Sequence, residues 1–312
     1  MDDSIFFASV GAALVNQLRM PPKLASVVLS ALGAAGASRA TVVSMYAELY
    51  PTLPPFSSSD LEMGSKLVER TLRLGIVAVP VTSAAYPRSL ALIDDAPPVI
   101  YYRGMLSTLA QVPGLAVVGT RKATRNGLVI AERIGRHFAE KGWVIVSGLA
   151  LGIDAAAHSG ALLGSGKTIA VMAHGLGIVY PKANSVLADD ILANGGLLLS
   201  EYPAGIPPKP EQFVLRNRLQ IGLSVGSVIV EGEEKSGTRT QAEYCLKNRR
   251  HLFAVLQNES TSGLNLVSSL PVQLVAKRGA IPIHSKDDYD KVELMLNSKR
   301  AQILGDSTVP TA

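Results

Sequence analysis

From Leu115 onward the chain alternates short apolar runs with longer segments of helical periodicity, a pattern that leaves few folds open. Strands buried on both faces read as continuous apolar runs, and strands separated by helical stretches return to one sheet in parallel. The runs at 115–118, 143–147, 167–173, 196–200, 227–230 and 251–255 predict six such strands. Between the first two, Leu128, Ala131, Ile134 and Phe138 recur through 126–141 at three- or four-residue spacing, one apolar stripe to face the sheet. The expected fold class is α/β with a parallel sheet.

Upstream the pattern is helical. Segments 4–19, 22–32 and 39–50 predict three helices, with Gly33 and Gly36 at a turn. Pro51, Pro54, Pro55 and serines 57 to 59 read as a linker, after which Ser59 or Asp60 would cap a helix to about Leu74. The expected organisation is a helical domain at 1–74, a sheet domain at 75–298 that ends in a helix over 286–296, and a polar tail at 299–312.

With 312 residues, 47% of them hydrophobic, the chain can bury a substantial core, which excludes a disordered or collagen-like class. Thirty Lys and Arg against 25 Asp and Glu give a net charge of +5, a mild bias toward anionic partners that only the placement of charges can sharpen. A single cysteine, Cys245, excludes an internal disulfide framework and a cysteine-based zinc site and fits a reducing compartment, by default the cytoplasm. The apolar run 6–15 lacks a basic flank and the ~20 residues of a span, so neither signal peptide nor membrane helix is expected.

In an open parallel sheet, ligands sit beyond the carboxyl ends of the strands, where loops lead into helix amino termini. The first strand ends in Gly119-Thr120-Arg121-Lys122-Ala123-Thr124, a close-approach glycine beside a hydroxyl and two cations, which suits a phosphate. The second ends in Ser147-Gly148-Leu149-Ala150-Leu151-Gly152-Ile153-Asp154 and enters an alanine-rich helix whose free N–H groups point into the same crevice. Lys182 and Asn184 follow the third, in Tyr180-Pro181-Lys182-Ala183-Asn184. After the fourth come Glu201-Tyr202-Pro203 and then Phe213 close to Arg216-Asn217-Arg218, an aromatic among cations as single-stranded nucleic acid requires. Ser236-Gly237-Thr238 opens the helix after the fifth.

Each feature has a structural alternative. Glycine-rich turns are often backbone geometry alone, Lys122 and Arg125 are equally solvated loop charges, and Arg216 and Arg218 can pair with Glu211 or Glu201. Tyr180, Tyr202 and Phe213 suit a core as well as a stacking platform. His158 and His174 lack metal-ligand spacing, and Asp154 suits a helix cap or an orienting partner for Arg121, so no catalytic residue, metal or cofactor is expected.

The order of these motifs resembles the DNA-processing protein A (DprA/Smf) family: GTRKAT (119–124), SGLALGIDAAAH (147–158), GLG then YPKAN (175–184), LLSEYPAG (198–205), F then RNR and GL (213–223), and VIVEG then SG (228–237). The upstream segment 75–104, with "YP" and "PPV" followed by an aromatic and "RG", is similar to the family's approach to its Rossmann domain, and 32–49 matches the helical start more loosely. The resemblance implies an extended Rossmann-like domain, a homodimer without enzymatic activity, single-stranded DNA in a basic strand-end pocket, and delivery of that DNA to RecA in recombination or transformation. It places Arg121 and Lys182 on phosphates with Arg216, Asn217 and Arg218 near them, and Gly119, Ser147, Gly148 and Gly152 as close-approach backbone. Thr120, Lys122, Asn184, Gly237 and Thr238 complete the candidate set.

The chain departs from the family's pattern at Leu151, where Arg is usual, at Gly177, where Asp is usual, at Ala173-His174, in place of Gly-Thr, and at 238–241, in place of Ser-Leu-Ile-Thr. The optional winged helix is not expected, since the residues beyond Leu296 are too few. Two alternatives follow from the departures. One is an interaction protein in phage defence, an antitoxin or regulator of a partner encoded by a neighbouring gene. The other is a nucleotide phosphoribohydrolase, whose Pro-Gly-Gly-x-Gly-Thr-x-x-Glu signature is met here by Gln241, with Glu243 two residues late. An amide cannot take up a proton as a carboxylate can, which counts against it.

Overall fold

The computed structural model describes residues 3–105, 111–257 and 263–305. Its helical start comprises α1 (Asp3–Asn16), α2 (Pro22–Ala34), α3 (Val42–Leu49) and α4 (Ser58–Leu72). The cap of α4 is Ser57, whose hydroxyl accepts from Asp60 N–H while the Asp60 carboxylate accepts from Ser57 N–H; Ser59 and Asp60 lie within the helix. Helix α1 is apolar on all sides because it is enclosed on all sides. Phe6, Val10 and Leu14 face a core shared with Leu29, Leu32 and Tyr46, while Ala8 and Ala12 pack against Val99 and Tyr101 of the sheet. Gly64 of α4 admits the close approach, since a Cβ there would overlap the Ser9 carbonyl oxygen.

Then follow β1 (Val77–Pro80), α5 (Arg88–Ala91), β2 (Val99–Gly104), β3 (Gly114–Val118), α6 (Arg125–Glu140), β4 (Ile145–Ser147), α7 (Ile153–Leu163), β5 (Thr168–Val171), α8 (Ser185–Ala193), β6 (Leu197–Ser200) and α9 (Pro210–Gly222). The chain ends with β7 (Ser224–Ile229), α10 (Gly237–Lys247), β8 (His251–Val255), α11 (Ser269–Arg278), β9 (Ile281–Ile283) and α12 (Tyr289–Leu304). The nine strands among the described residues form one sheet in the order β1-β2-β6-β5-β4-β3-β7-β8-β9. Strands β3 to β9 run parallel, and β1 and β2 add an antiparallel edge beside β6. The order reverses direction at β3, where chain from β4 leads one way and chain from β7 the other, which is where an open α/β sheet leaves a crevice.

All six predicted strands are present, within a few residues of their predicted ends. The sequence reading did not place β1, β2 or β9. At the other end, α12 runs to Leu304 with Ala301 and Ile303 buried and the Arg300 guanidinium 3.3 Å from the Trp143 ring, so the residues expected as tail from 299 on include part of a packed helix. Residues 306–312 of that predicted tail lie outside the described residues. No helix among the described residues is long and apolar enough to cross a membrane.

Candidate nucleic-acid interface

At the switch point a cleft of about 710 Å³ opens between the loop after β3, the amino end of α7, helix α9 and the start of α10. Of the predicted residues, Gly119, Thr120, Arg121, Lys122, Arg216, Asn217, Gly237 and Thr238 line it. The loop after β3 is held from below by Glu231, a buried carboxylate that the sequence reading passed over. It accepts from Thr124 N–H (2.9 Å), Thr124 Oγ1 (2.8 Å) and Val267 N–H (2.9 Å), and Gly127 is required because a Cβ would overlap it. Thr124 in turn caps α6 by accepting from Gly127 N–H at 2.9 Å. Gly152 takes φ +81° and approaches the Thr120 and Arg121 carbonyl groups closely, locking the two loops together.

The floor is Asp154 and Arg216. Asp154 does not orient Arg121; it accepts backbone N–H bonds from Gly148 (3.1 Å), Ala150 and Gly119. Burial raises its pKa, opposed by Arg216 and these bonds. Arg216 is 5% exposed and donates to the Val171 carbonyl at 2.8 Å. In the orientation that satisfies its partners, the Gln220 amide accepts from Arg216 Nη1 (2.8 Å) and Gly148 N–H (3.0 Å) and donates to Gln241 (2.9 Å). Burial, reinforced by the nearby Arg121 and opposed by Asp154, pulls Arg216 down to about 10, and its Nε has no partner. A guanidinium so strongly desolvated makes the floor favourable to a further negative charge. Gly148 is needed less for a ligand than for Arg216, since a Cβ would occupy its Nη1 position.

At the mouth, the Arg121 guanidinium lies 5.0 Å from the centre of the Phe213 ring, and Phe213 meets Tyr180 at 5.7 Å. Tyr180 is 44% exposed, so the pair presents aromatic surface to the cleft rather than filling a core. Arg121 and Lys122 are exposed beside it, with Glu233 the opposing charge on the rim.

The family model of DNA recombination-mediator protein A matches residues 78–288. The chain belongs to that family. It is 35% identical to the DNA processing protein DprA of Bacillus subtilis over 241 residues, 77% of this chain and 75% of that protein. It is 38% identical to Protein Smf of Synechocystis over 239 residues, 72% of this chain and 59% of the relative, so it spans about three fifths of that protein's length. Among solved structures, Streptococcus pneumoniae DNA processing protein A superposes with a TM-score of 0.70 at 28% identity, covering 90% of this chain and 97% of that one. The Helicobacter pylori DNA processing protein A, described for a unique single-stranded DNA binding mode, gives 0.60 at 29% identity, with 70% and 95% covered.

Not every candidate residue reaches the cleft. Ser147 is buried and donates to the Val117 carbonyl (2.7 Å), and the buried Asn184 donates to the Leu149 carbonyl (2.9 Å), both as supports of loop backbone. Lys182 is exposed on the turn beyond Tyr180 and does not line the cleft. Arg218 is the clear correction. It is 2% exposed on the other side of α9, bonded to Glu201 (2.5 Å) and facing Asp95 (3.6 Å), and it lines a different cavity. Burial works against its charge, but Glu201 and Asp95 outweigh it and leave its pKa raised. The salt-bridge alternative with Glu201 therefore holds for Arg218, and the phosphate role does not.

Of the positions at which the family pattern is broken, Leu151 is exposed near the cleft, Gly177 is exposed, and Thr238 and Gln241 line the cleft itself. His158 is fully buried with Nδ1 2.6 Å from Thr168 Oγ1, whose hydroxyl donates to the Ile145 carbonyl (2.7 Å), so the ring nitrogen must donate. Burial, with Arg216 adding to it, depresses its pKa to about 3, and it is a neutral core group. His174 is buried and donates to the Gly175 carbonyl at 3.0 Å, its pKa also lowered by burial. Glu243, the carboxylate on which a phosphoribohydrolase would depend, is exposed, pairs with Arg239 at 3.0 Å and lies outside the cleft lining. Among the described residues no group of three or more His, Cys, Asp or Glu is arranged to hold a metal ion.

Proposed function

We propose that the chain binds single-stranded DNA in this cleft, with phosphate near Arg121 and Lys122, the strand drawn toward the buried Arg216, and a base stacked on Tyr180 and Phe213. The observation that carries this reading is the alignment of Arg121, Phe213 and Tyr180 at one mouth. Unpaired bases offer π faces as well as charge, and stacking beside a cation is the chemistry single strands select over duplex. The amino end of α10, at Gly237 and Thr238, opens on the same space and favours an anion, whereas the first N–H groups of α7 are taken by the carbonyls of Thr120, Ala150 and Gly152.

On this reading the protein acts in the cytoplasm as a homodimer that protects single-stranded DNA and passes it to the RecA recombinase, without catalysis. Fluorescence anisotropy with a labelled single strand, at two salt concentrations and with duplex as competitor, tests it. Binding at micromolar concentration or tighter that weakens with salt and resists duplex is expected. Equal competition by duplex, or binding unchanged in Arg121→Ala, would contradict it.

A further inference from the structure

Arg216 and Arg218 are both buried on α9, but only Arg218 is ion-paired. Among the described residues Arg216 makes no ion pair, and its hydrogen bonds go to neutral groups. Both hydrogens of its Nη1 are taken, one by the Val171 carbonyl at 2.8 Å and one by the Gln220 amide oxygen at 2.8 Å. The same amide oxygen shares the Gly148 N–H (3.0 Å) with Asp154 (3.1 Å), whose carboxylate is committed to backbone and acts on Arg216 only through space.

The Gln220 amide is itself directed. Its nitrogen donates to the Gln241 oxygen at 2.9 Å, and the Gln241 nitrogen faces the Ser227 hydroxyl at 3.5 Å, so its orientation is set from α10 and β7. Reversed, it would turn its own donors on a guanidinium and a backbone N–H. Both glutamines are buried, and both line the cleft with Arg216. A glutamate at 220 could accept the same two bonds, since a carboxylate oxygen accepts wherever an amide oxygen does. Only the charge would differ. The ion pair of Arg218 with Glu201, two residues along the same helix, shows the outcome: a guanidinium balanced within the fold.

We infer that Gln220, oriented by Gln241, makes the floor of the cleft select an anion by fixing the Arg216 guanidinium without neutralising it. Gln220 is a positioning residue that acts through Arg216. For its ligand the inference rests on the single-strand reading, and inorganic phosphate supplies the same charge without base or sugar.

The test uses the full chain at about pH 8, so that a carboxylate introduced beside Asp154 is ionised although its neighbour raises its pKa. The probes are a labelled oligothymidine strand, read by anisotropy at two salt concentrations, and inorganic phosphate, read as a shift in melting temperature. Gln220→Glu should weaken the strand by about tenfold or more, flatten the slope of log affinity on log salt by about 0.7, and abolish a stabilising shift that phosphate gives the natural chain. Gln220→Met removes both contacts but leaves Arg216 charged, and should stay within about threefold of the natural affinity. A packing role alone would reverse that order. Gln241→Glu sets the new charge one residue further from Arg216; it should move both readouts the same way by less, and it carries the test if the first variant does not fold. If the natural chain ignores the strand but is stabilised by phosphate, the single-strand reading fails, and loss of the phosphate shift in Gln220→Glu still supports the inference. Strand affinity and phosphate shift unchanged in both glutamate variants, a loss in Gln220→Met as large as in Gln220→Glu, or a natural chain that binds neither probe would overturn it.

Discussion

On one side of α9 Arg216 shares a cleft with Asp154 and Arg121; on the other, Arg218 is enclosed by Glu201 and Asp95. Both guanidinium groups are buried, yet their pKa values move in opposite directions, Arg216 down to about 10 and Arg218 up. Arg218 has two carboxylates close by. Arg216 has one carboxylate, already occupied by three backbone N–H groups, and a second arginine. The difference separates a charge balanced within the fold from one left largely unbalanced, as the proposed anion site requires.

Unfolding in urea should expose this contrast most strongly. Arg218→Met strands Glu201 and Asp95 and should destabilise by about 3–5 kcal/mol. Arg216→Met should lose less, about 1–2 kcal/mol, because Asp154 keeps its backbone donors. Equal losses would erase the distinction. Binding should reverse the order of importance: Phe213→Ala should weaken single-strand affinity by about 1–3 kcal/mol in anisotropy titrations. Arg121→Ala should also flatten the dependence of log affinity on log salt by about 0.7 for the phosphate contact removed. An unchanged slope would place Arg121 off the backbone.

The acid limb of stability reports on the same floor. Because burial holds His158 near 3 against an ordinary 6.5, its neutral form stabilises the fold fully above about 6.5. That contribution falls as pH drops toward 3, by about 1.4 kcal/mol per unit. His158→Gln should flatten this limb, and Arg216→Met, which removes the second cause of the depression, should shift it toward neutral pH. The smallest effect belongs outside both cavities: Glu243→Ala should change stability by less than about 0.5 kcal/mol and leave strand binding intact. A marked loss of binding there would reopen the reading of α10.

The parallel strands were legible because their apolar runs are long and bounded by turns. Strands β1, β2 and β9 were not: Val77–Pro80 and Ile281–Ile283 are only four and three residues long, contain proline and lie at the sheet edges. Strand β2 is antiparallel and half-exposed at its end, so it lacks the continuous apolar run of its parallel neighbours. The loops after β3 and β4 could be read as site elements from glycine, hydroxyl and charge alone. The Arg216 and Arg218 assignments were mixed because three adjacent polar residues read as one patch. A helix separates positions two apart by about 200°, and that geometry alone would have sent them to opposite sides of α9. No local signal could pair Tyr180 with Phe213, since their contact depends on how the turn after β5 folds over α9.

The account stands on a strand passing over the aromatic mouth of the cleft. Photo-crosslinking with a thymidine strand carrying 5-bromodeoxyuridine, followed by mass spectrometry of the digested adduct, reads that contact directly. Adducts on the peptides containing Tyr180 and Phe213 are the predicted result. Adducts confined to peptides that contribute nothing to the cleft, with Tyr180 and Phe213 unmodified, would contradict it.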